Sequence, residues 1–113
     1  MQNFFPLSAN PETLEESTPQ NVIHGSPRFR AWPCTQAEGG IEAGLWEATP
    51  GKWRFRNDCW EYCRILQGVS IVTEDGHPPR EVRAGDSFIL QDGFEGTWEV
   101  LETTLKDYVI RSL

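Results

Sequence analysis

Few side chains in this sequence are equipped to do chemistry, and their spacing limits what that chemistry could be. There are two histidines: His24 lies in an N-terminal arm and His77 in a Gly76–Pro78 turn. Three cysteines, Cys34, Cys59 and Cys63, are an odd number, and no second Cys or His pair joins Cys59 and Cys63 to complete a zinc site. They are expected to be reduced thiols of a cytoplasmic protein. No His is placed to deprotonate Cys63, so a buried structural thiol is favoured over a nucleophile. Glu61, between Trp60 and Tyr62, is the carboxylate expected to be buried. A buried carboxylate takes a partner or a proton, so Glu61 is either a general acid–base candidate or half of a salt bridge with an Arg or Lys106. Residues i and i+2 share a face of a strand, which groups Glu61 with Cys63, Gly96 with Trp98 and Lys106 with Tyr108. The same alternation in Trp53-Arg54-Phe55-Arg56 describes a half-buried strand with both arginines in solvent and Phe55 inside.

The elements that must hold these residues are short and of β type. Strands are predicted near 29–34, 41–49, 52–57, 60–67, 69–74, 80–84, 87–91, 96–102 and 105–111, where Trp, Phe, Tyr, Val and Ile concentrate. Breaks fall at Gln67-Gly68, Asp75-Gly76, Gly85-Asp86 and Asp92-Gly93, where glycine supplies the positive φ of a tight turn. No segment beyond residue 20 has helical periodicity, so the 113-residue chain is expected to be one all-β domain, a sandwich or barrel over 28–113 with an arm at 1–27. In the arm, Asn10-Pro11-Glu12 can start a short helix, with Asn as N-cap and Pro at the first helical position; disorder is the alternative. The net charge of −7, with −3 over residues 1–20, +1 over 21–58 and −5 over 59–113, argues against a nucleic-acid partner. No apolar run is long enough for a membrane span, and the first residues do not form a secretory signal.

Four stretches carry a family likeness. They are Gly44 to Lys52, Glu61-Tyr62-Cys63-Arg64-Ile65-Leu66-Gln67-Gly68, Gly85-Asp86-Ser87-Phe88 with Gly93-Phe94-Glu95-Gly96-Thr97-Trp98, and Lys106-Asp107-Tyr108-Val109-Ile110. In this order they resemble the cupin superfamily, and more narrowly the small single-domain branch related to the cupin domains of ureidoglycine aminohydrolase. The resemblance implies a double-stranded β-helix, or jelly-roll barrel, and pairing into a homodimer, with Phe4, Phe5, Trp32 and Trp46 as candidate interface residues. Metal-binding cupins hold a divalent ion by a His-x-His pair, a Glu and a later His. Here only Glu61 is retained. The His-x-His positions fall on Arg54 and Arg56 with a four-residue gap, or on Phe55 and Asn57 with a three-residue gap, and the later His falls on Gly96. Gln91 stands where the usual Pro would be. No cofactor is therefore expected, although Glu61, Asn57, Cys63 and Gln91 could assemble a weak divalent site.

The family register offers a second reading of the Arg54–Arg56 strand, in which both arginines face the barrel interior. They would then join Glu61, Cys63, Gln91, Trp98 and Tyr108 around a cavity, with Gly96 leaving the space of a His, and clamp a small carboxylate. Both orientations stand at this point. Three function classes follow: a module binding a carboxylate-bearing or nitrogen-rich metabolite, a small hydrolase or isomerase of nitrogenous compounds, and a non-catalytic dimeric interaction module.

Overall fold

Long bent strands let one sheet serve as both layers of this protein. In the computed structural model, residues 2–112 are described; Met1 and Leu113, the outer ends of the two predicted segments, lie outside the described residues. The strands are β1 (Glu15–Ser17), β2 (Asn21–Gly25), β3 (Phe29–Ala37), β4 (Ile41–Ala48), β5 (Gly51–Arg56), β6 (Trp60–Glu74), β7 (Arg80–Arg83), β8 (Ser87–Leu90) and β9 (Glu95–Arg111). All pairings are antiparallel. One half of the curled sheet runs β1-β3-β4, the C-terminal half of β9, the N-terminal half of β6, then β8. The other runs β2-β5, the N-terminal half of β9, the C-terminal half of β6, then β7. The architecture is all-β, a curled jelly-roll sheet whose inner faces meet in the core.

Two predicted breaks are corners instead. The sequence separates strands at Gln67-Gly68 and again between 102 and 105, yet β6 and β9 pass through both points while remaining paired. Register shifts between Ile65 and Ser70 mark the bend. Gly68 adopts φ +90°, and a Cβ there would collide with the Thr103 carbonyl oxygen across the corner. Glycine lets the chain change direction without leaving its partner strand.

The arm is more ordered in pattern than its composition suggests. Pro11–Thr13 forms a single 3-10 turn, with the Asn10 side chain accepting a hydrogen bond from the Glu12 amide at 3.0 Å. Beyond it, β1 pairs with β3 and β2 with β5, so the arm extends both halves of the sheet. Every residue of β1 and β2 is exposed, so they form through backbone pairing and leave no apolar alternation to read.

Inside, Ala48, Trp53, Ile65, Val72, Val82, Leu90, Trp98 and Val100 are buried together, with Phe29, Trp46, Phe55, Phe88 and Phe94 packed against them. Two of the predicted interface residues therefore belong elsewhere: Trp46 packs on Trp98 at a ring distance of 5.3 Å, and Trp32 is only 4% exposed with Arg30 stacked over it. No helix among the described residues is long and apolar enough to cross a membrane.

Candidate functional site

Strand alternation carries a row of inward side chains to one end of the sheet. On β4 these are Glu42 and Trp46; on β5, Trp53 and Phe55; on β6, Glu61; on β9, Trp98, Lys106, Tyr108 and Ile110. Register brings them opposite one another: Trp53 faces Trp98, Trp46 faces Lys106, and Ile110 lies between Glu42 and Glu61. Between the halves they line an open cavity of about 340 Å3, to which Phe29, Asn57 and Cys59 also contribute. Its walls are aromatic, with Trp53 and Trp98 nearly parallel at 7° and Trp46 edge-on to both. Trp98 is fixed by a buried chain in which its indole N–H donates to Ser70 at 3.0 Å, Ser70 contacts Thr104 at 2.6 Å, and Thr104 donates to the Glu102 carbonyl.

Lys106 forms the polar back wall. It is 5% exposed, its ammonium lies 3.0 Å from Glu61 and 3.5 Å from the Cys63 sulfur, and it sits over the Trp46 and Trp98 rings at 4.4 and 4.7 Å. Asn57 donates to the other Glu61 oxygen at 3.2 Å. Burial alone would push the Glu61 carboxyl up, but Lys106 and Asn57 outweigh it and hold the group below its ordinary value. Burial likewise works against the Lys106 charge, and Glu61 outweighs it, so the ammonium is held above its ordinary value. The pair is ionic at neutral pH, so of the two readings open for Glu61 the structure shows the salt bridge with Lys106. Burial pushes the Cys63 thiol up to about 12. Tyr108 donates to Glu42 at 2.6 Å, and burial together with that carboxylate raises its phenol.

Of the predicted pocket, the structure brings together Glu61, Trp98, Tyr108 and, behind Lys106, Cys63. Arg54 and Arg56 are not with them. Both are exposed on the outer face of β5, Arg54 paired with Asp75 and Arg56 with Asp58 and Glu95, while Phe55 points inward. The half-buried alternation decides the strand's orientation. Gln91 is exposed beyond β8 and lines a different cleft. Gly96 leaves no vacancy for a His, because a Cβ there would collide with the Thr73 carbonyl oxygen. The site charge changes sign as a result: Glu42 and Glu61 against Lys106 leave the cavity net negative, where two arginines would have made it positive. Glu42, Cys59 and Trp53 escaped sequence reasoning. Glu42 is hidden by Ile41, whose apolar side chain suggests the inward position although it is the exposed one.

Residues 35–108 match the family model described as the EutQ-like cupin domain. The chain belongs to the EutQ-like cupin family. Among solved structures, this cupin resembles a DUF861-family protein of unknown function from Pseudomonas syringae pv. tomato str. DC3000, at 19% identity over 86% of the chain and a TM-score of 0.77. It spans 43% of that protein's length. The EutQ protein of Clostridium difficile is similar over 77% of the chain and 70% of its own, at 13% identity and a TM-score of 0.68. A DUF861-family protein from Thermotoga maritima shares 30% identity over 57% of the chain and 73% of its own, with a TM-score of 0.54. No curated protein matches the chain.

The metal positions of a cupin do not fit a metal in this member of the family. Of the two registers only the three-residue gap puts side chains in the cavity: Phe55 and Asn57 line it, whereas Arg54 and Arg56 face outward. Glu61 is already engaged by the Lys106 ammonium, and Gly96 has no room for a ligand side chain. The weak divalent set fails as well, since Gln91 lies outside the cavity that Asn57 and Glu61 share. Among the described residues no three His, Cys, Asp or Glu side chains gather as a metal-binding group.

Proposed function

We propose that this EutQ-like cupin binds a small, flat, nitrogen-bearing metabolite in its aromatic cavity, without a resident metal. The observation that carries this reading is the pairing of an aromatic wall with a rim of oxygen acceptors. Trp46, Trp53 and Trp98 make an apolar aromatic wall against which a planar group can lie, while Glu42, Asn57 and Glu61 offer acceptors for amide or ureido N–H groups. At about 340 Å3 the cavity is at the small end of ligand pockets. A carboxylate-bearing ligand has lost its support, because the arginines that would clamp it face solvent and the cavity presents two carboxylates.

An activity like that of ureidoglycine aminohydrolase rests on the sequence motifs alone. Glu61 is held below its usual range and Lys106 above its own, and burial raises both Cys59 and Tyr108, so each of these four is moved away from neutrality rather than toward it. The three unpaired thiols support a reducing, cytoplasmic setting. Pairing into a homodimer is supported by the arm, where Phe4 is 77% and Phe5 54% exposed.

Calorimetric titration of ureas, primary amides and nitrogen heterocycles, with monocarboxylates as the contrast set, tests the proposal. Wild type and Arg54→Ala should bind the same nitrogenous compounds equally. Asn57→Ala, which loses one neutral hydrogen bond of about 0.5–1.5 kcal/mol, should bind them about two- to tenfold more weakly. Binding of a carboxylate that depends on Arg54 would overturn it.

A further inference from the structure

Four strands end the two halves of the sheet, and three of them are blunted against further pairing. β1 carries Glu15 and Glu16, β2 is interrupted by the register shift between Val22 and His24, and β7 is the charged run Arg80-Glu81-Val82-Arg83 entered through Pro78-Pro79. Charges, bulges and prolines are the devices by which sheet edges avoid adding strands. β8 has none of them. Its sequence is Ser87-Phe88-Ile89-Leu90, it pairs only with β6 among the described residues, and Ile89 is 44% exposed on its outer face. The edge of β8 away from β6 thus presents unpaired backbone donors and acceptors.

Beside that edge, between β7 and β8, opens a cleft of about 770 Å3 that is larger than the aromatic cavity. Its floor is the core seen from outside: Val72, Val82, Phe88, Leu90 and Phe94. Its rim is acidic, with Glu74, Glu81, Asp86 and Asp92 against the single guanidinium of Arg80. Glu81 is also bonded to the Arg83 side chain at 2.9 Å, Asp86 accepts from the Arg83 backbone N–H at 2.8 Å and Glu74 has the His77 ring at 3.8 Å, so no arginine side chain pairs with Glu74, Asp86 or Asp92 among the described residues.

We propose that the free edge of β8 and this cleft dock an extended basic segment of a partner protein, added as a further strand. The segment's backbone continues the β8 ladder, its alternate apolar side chains enter the cleft, and its Lys or Arg side chains meet the acidic rim. Four residues of β8 span about 13 Å, so the paired segment is of similar length. A second copy of this chain is disfavoured as the occupant. The chain carries −7 overall, and its arm brings Glu12, Glu15 and Glu16, so self-docking would set like charges against the rim.

The test uses the 15N-labelled full chain and two synthetic hexapeptides, one alternating Lys with Val and the other Glu with Val, both capped at their ends. The Lys peptide should give saturable amide shifts at Ser87–Leu90 and Phe94, weakening as salt is raised, and the Glu peptide should leave these amides unmoved. Ile89→Lys, on the exposed outer face, supplies the missing edge charge and should weaken binding at least about tenfold with the rest of the spectrum unchanged. The Glu74→Gln/Asp92→Asn variant should bind less tightly and with a shallower salt dependence. Equal binding of both peptides, shifts centred on β2 or β7, no shifts at all, or β8 shifts that follow protein concentration without peptide would each overturn the proposal.

Discussion

Almost wholly enclosed among indole rings, the Lys106 ammonium keeps its charge because Glu61 lies 3.0 Å away. Removing one partner strands the other as a buried charge, so Lys106→Met should cost about 3–5 kcal/mol in urea unfolding, while Lys106→Met combined with Glu61→Leu should recover most of that loss. Proton linkage gives the pair a second signature. Glu61 is held low, so its contribution is present above the ordinary carboxylate range and is lost as pH falls through its folded-state value. Lys106 is held high, so its contribution is present below the ordinary lysine range and is lost as pH rises through its folded-state value. Cys63 adds to the alkaline side. Its folded thiol keeps its proton to about 12 while the unfolded thiol ionises near 9.0, so stability should fall with pH between those values, and less steeply in Cys63→Ala than in the wild type. Urea midpoints measured across this range check both limbs; a flat alkaline limb in the wild type would contradict the buried thiol.

The strands from 28 onward were legible because each concentrates β-branched and aromatic residues between glycines, and Gly68, Gly76, Gly85 and Gly93 do take positive φ. β1 and β2 were not, since nothing in them is buried and their register depends on strands far away in the chain. The corner at Gly68 looked like a strand end because a sequence does not distinguish a turn from a bend that keeps its pairing. For the site, i and i+2 reasoning correctly put Lys106 with Tyr108 and Glu61 with Cys63, whereas the four-residue gap misdirected Arg54 and Arg56 against their own alternation. The corner supplies its own prediction. Gly68→Ala meets both left-handed strain, about 1–2 kcal/mol, and a backbone collision, while Gly76→Ala, at φ +80° with open space around it, meets strain alone. Thermal unfolding should therefore show the Gly68 variant as the less stable of the two, and equal losses would remove the corner from its proposed role.

At the scale of the molecule, the protein measures 46 × 27 × 27 Å and carries an exposed apolar arm tip at Phe4 and Phe5. If that tip joins two copies, light scattering at micromolar concentration should give twice the chain mass for the wild type and the chain mass for Phe4→Ser/Phe5→Ser; a wild-type monomer would leave the arm without this role. The walls of the cavity, in contrast, are drawn from β3, β4, β5, β6, β8, β9 and the loop between β5 and β6. The central claim is that a flat nitrogenous ligand lies against the indoles of that cavity with the arginines uninvolved. It is tested most directly by following the five tryptophan indole N–H resonances while a cyclic ureide is titrated in. The account predicts saturable shifts at Trp46, Trp53 and Trp98 but not at Trp32 or Trp60, unchanged in Arg54→Ala/Arg56→Ala. Shifts confined to Trp32 or Trp60, or binding that disappears with the two arginines, would contradict it.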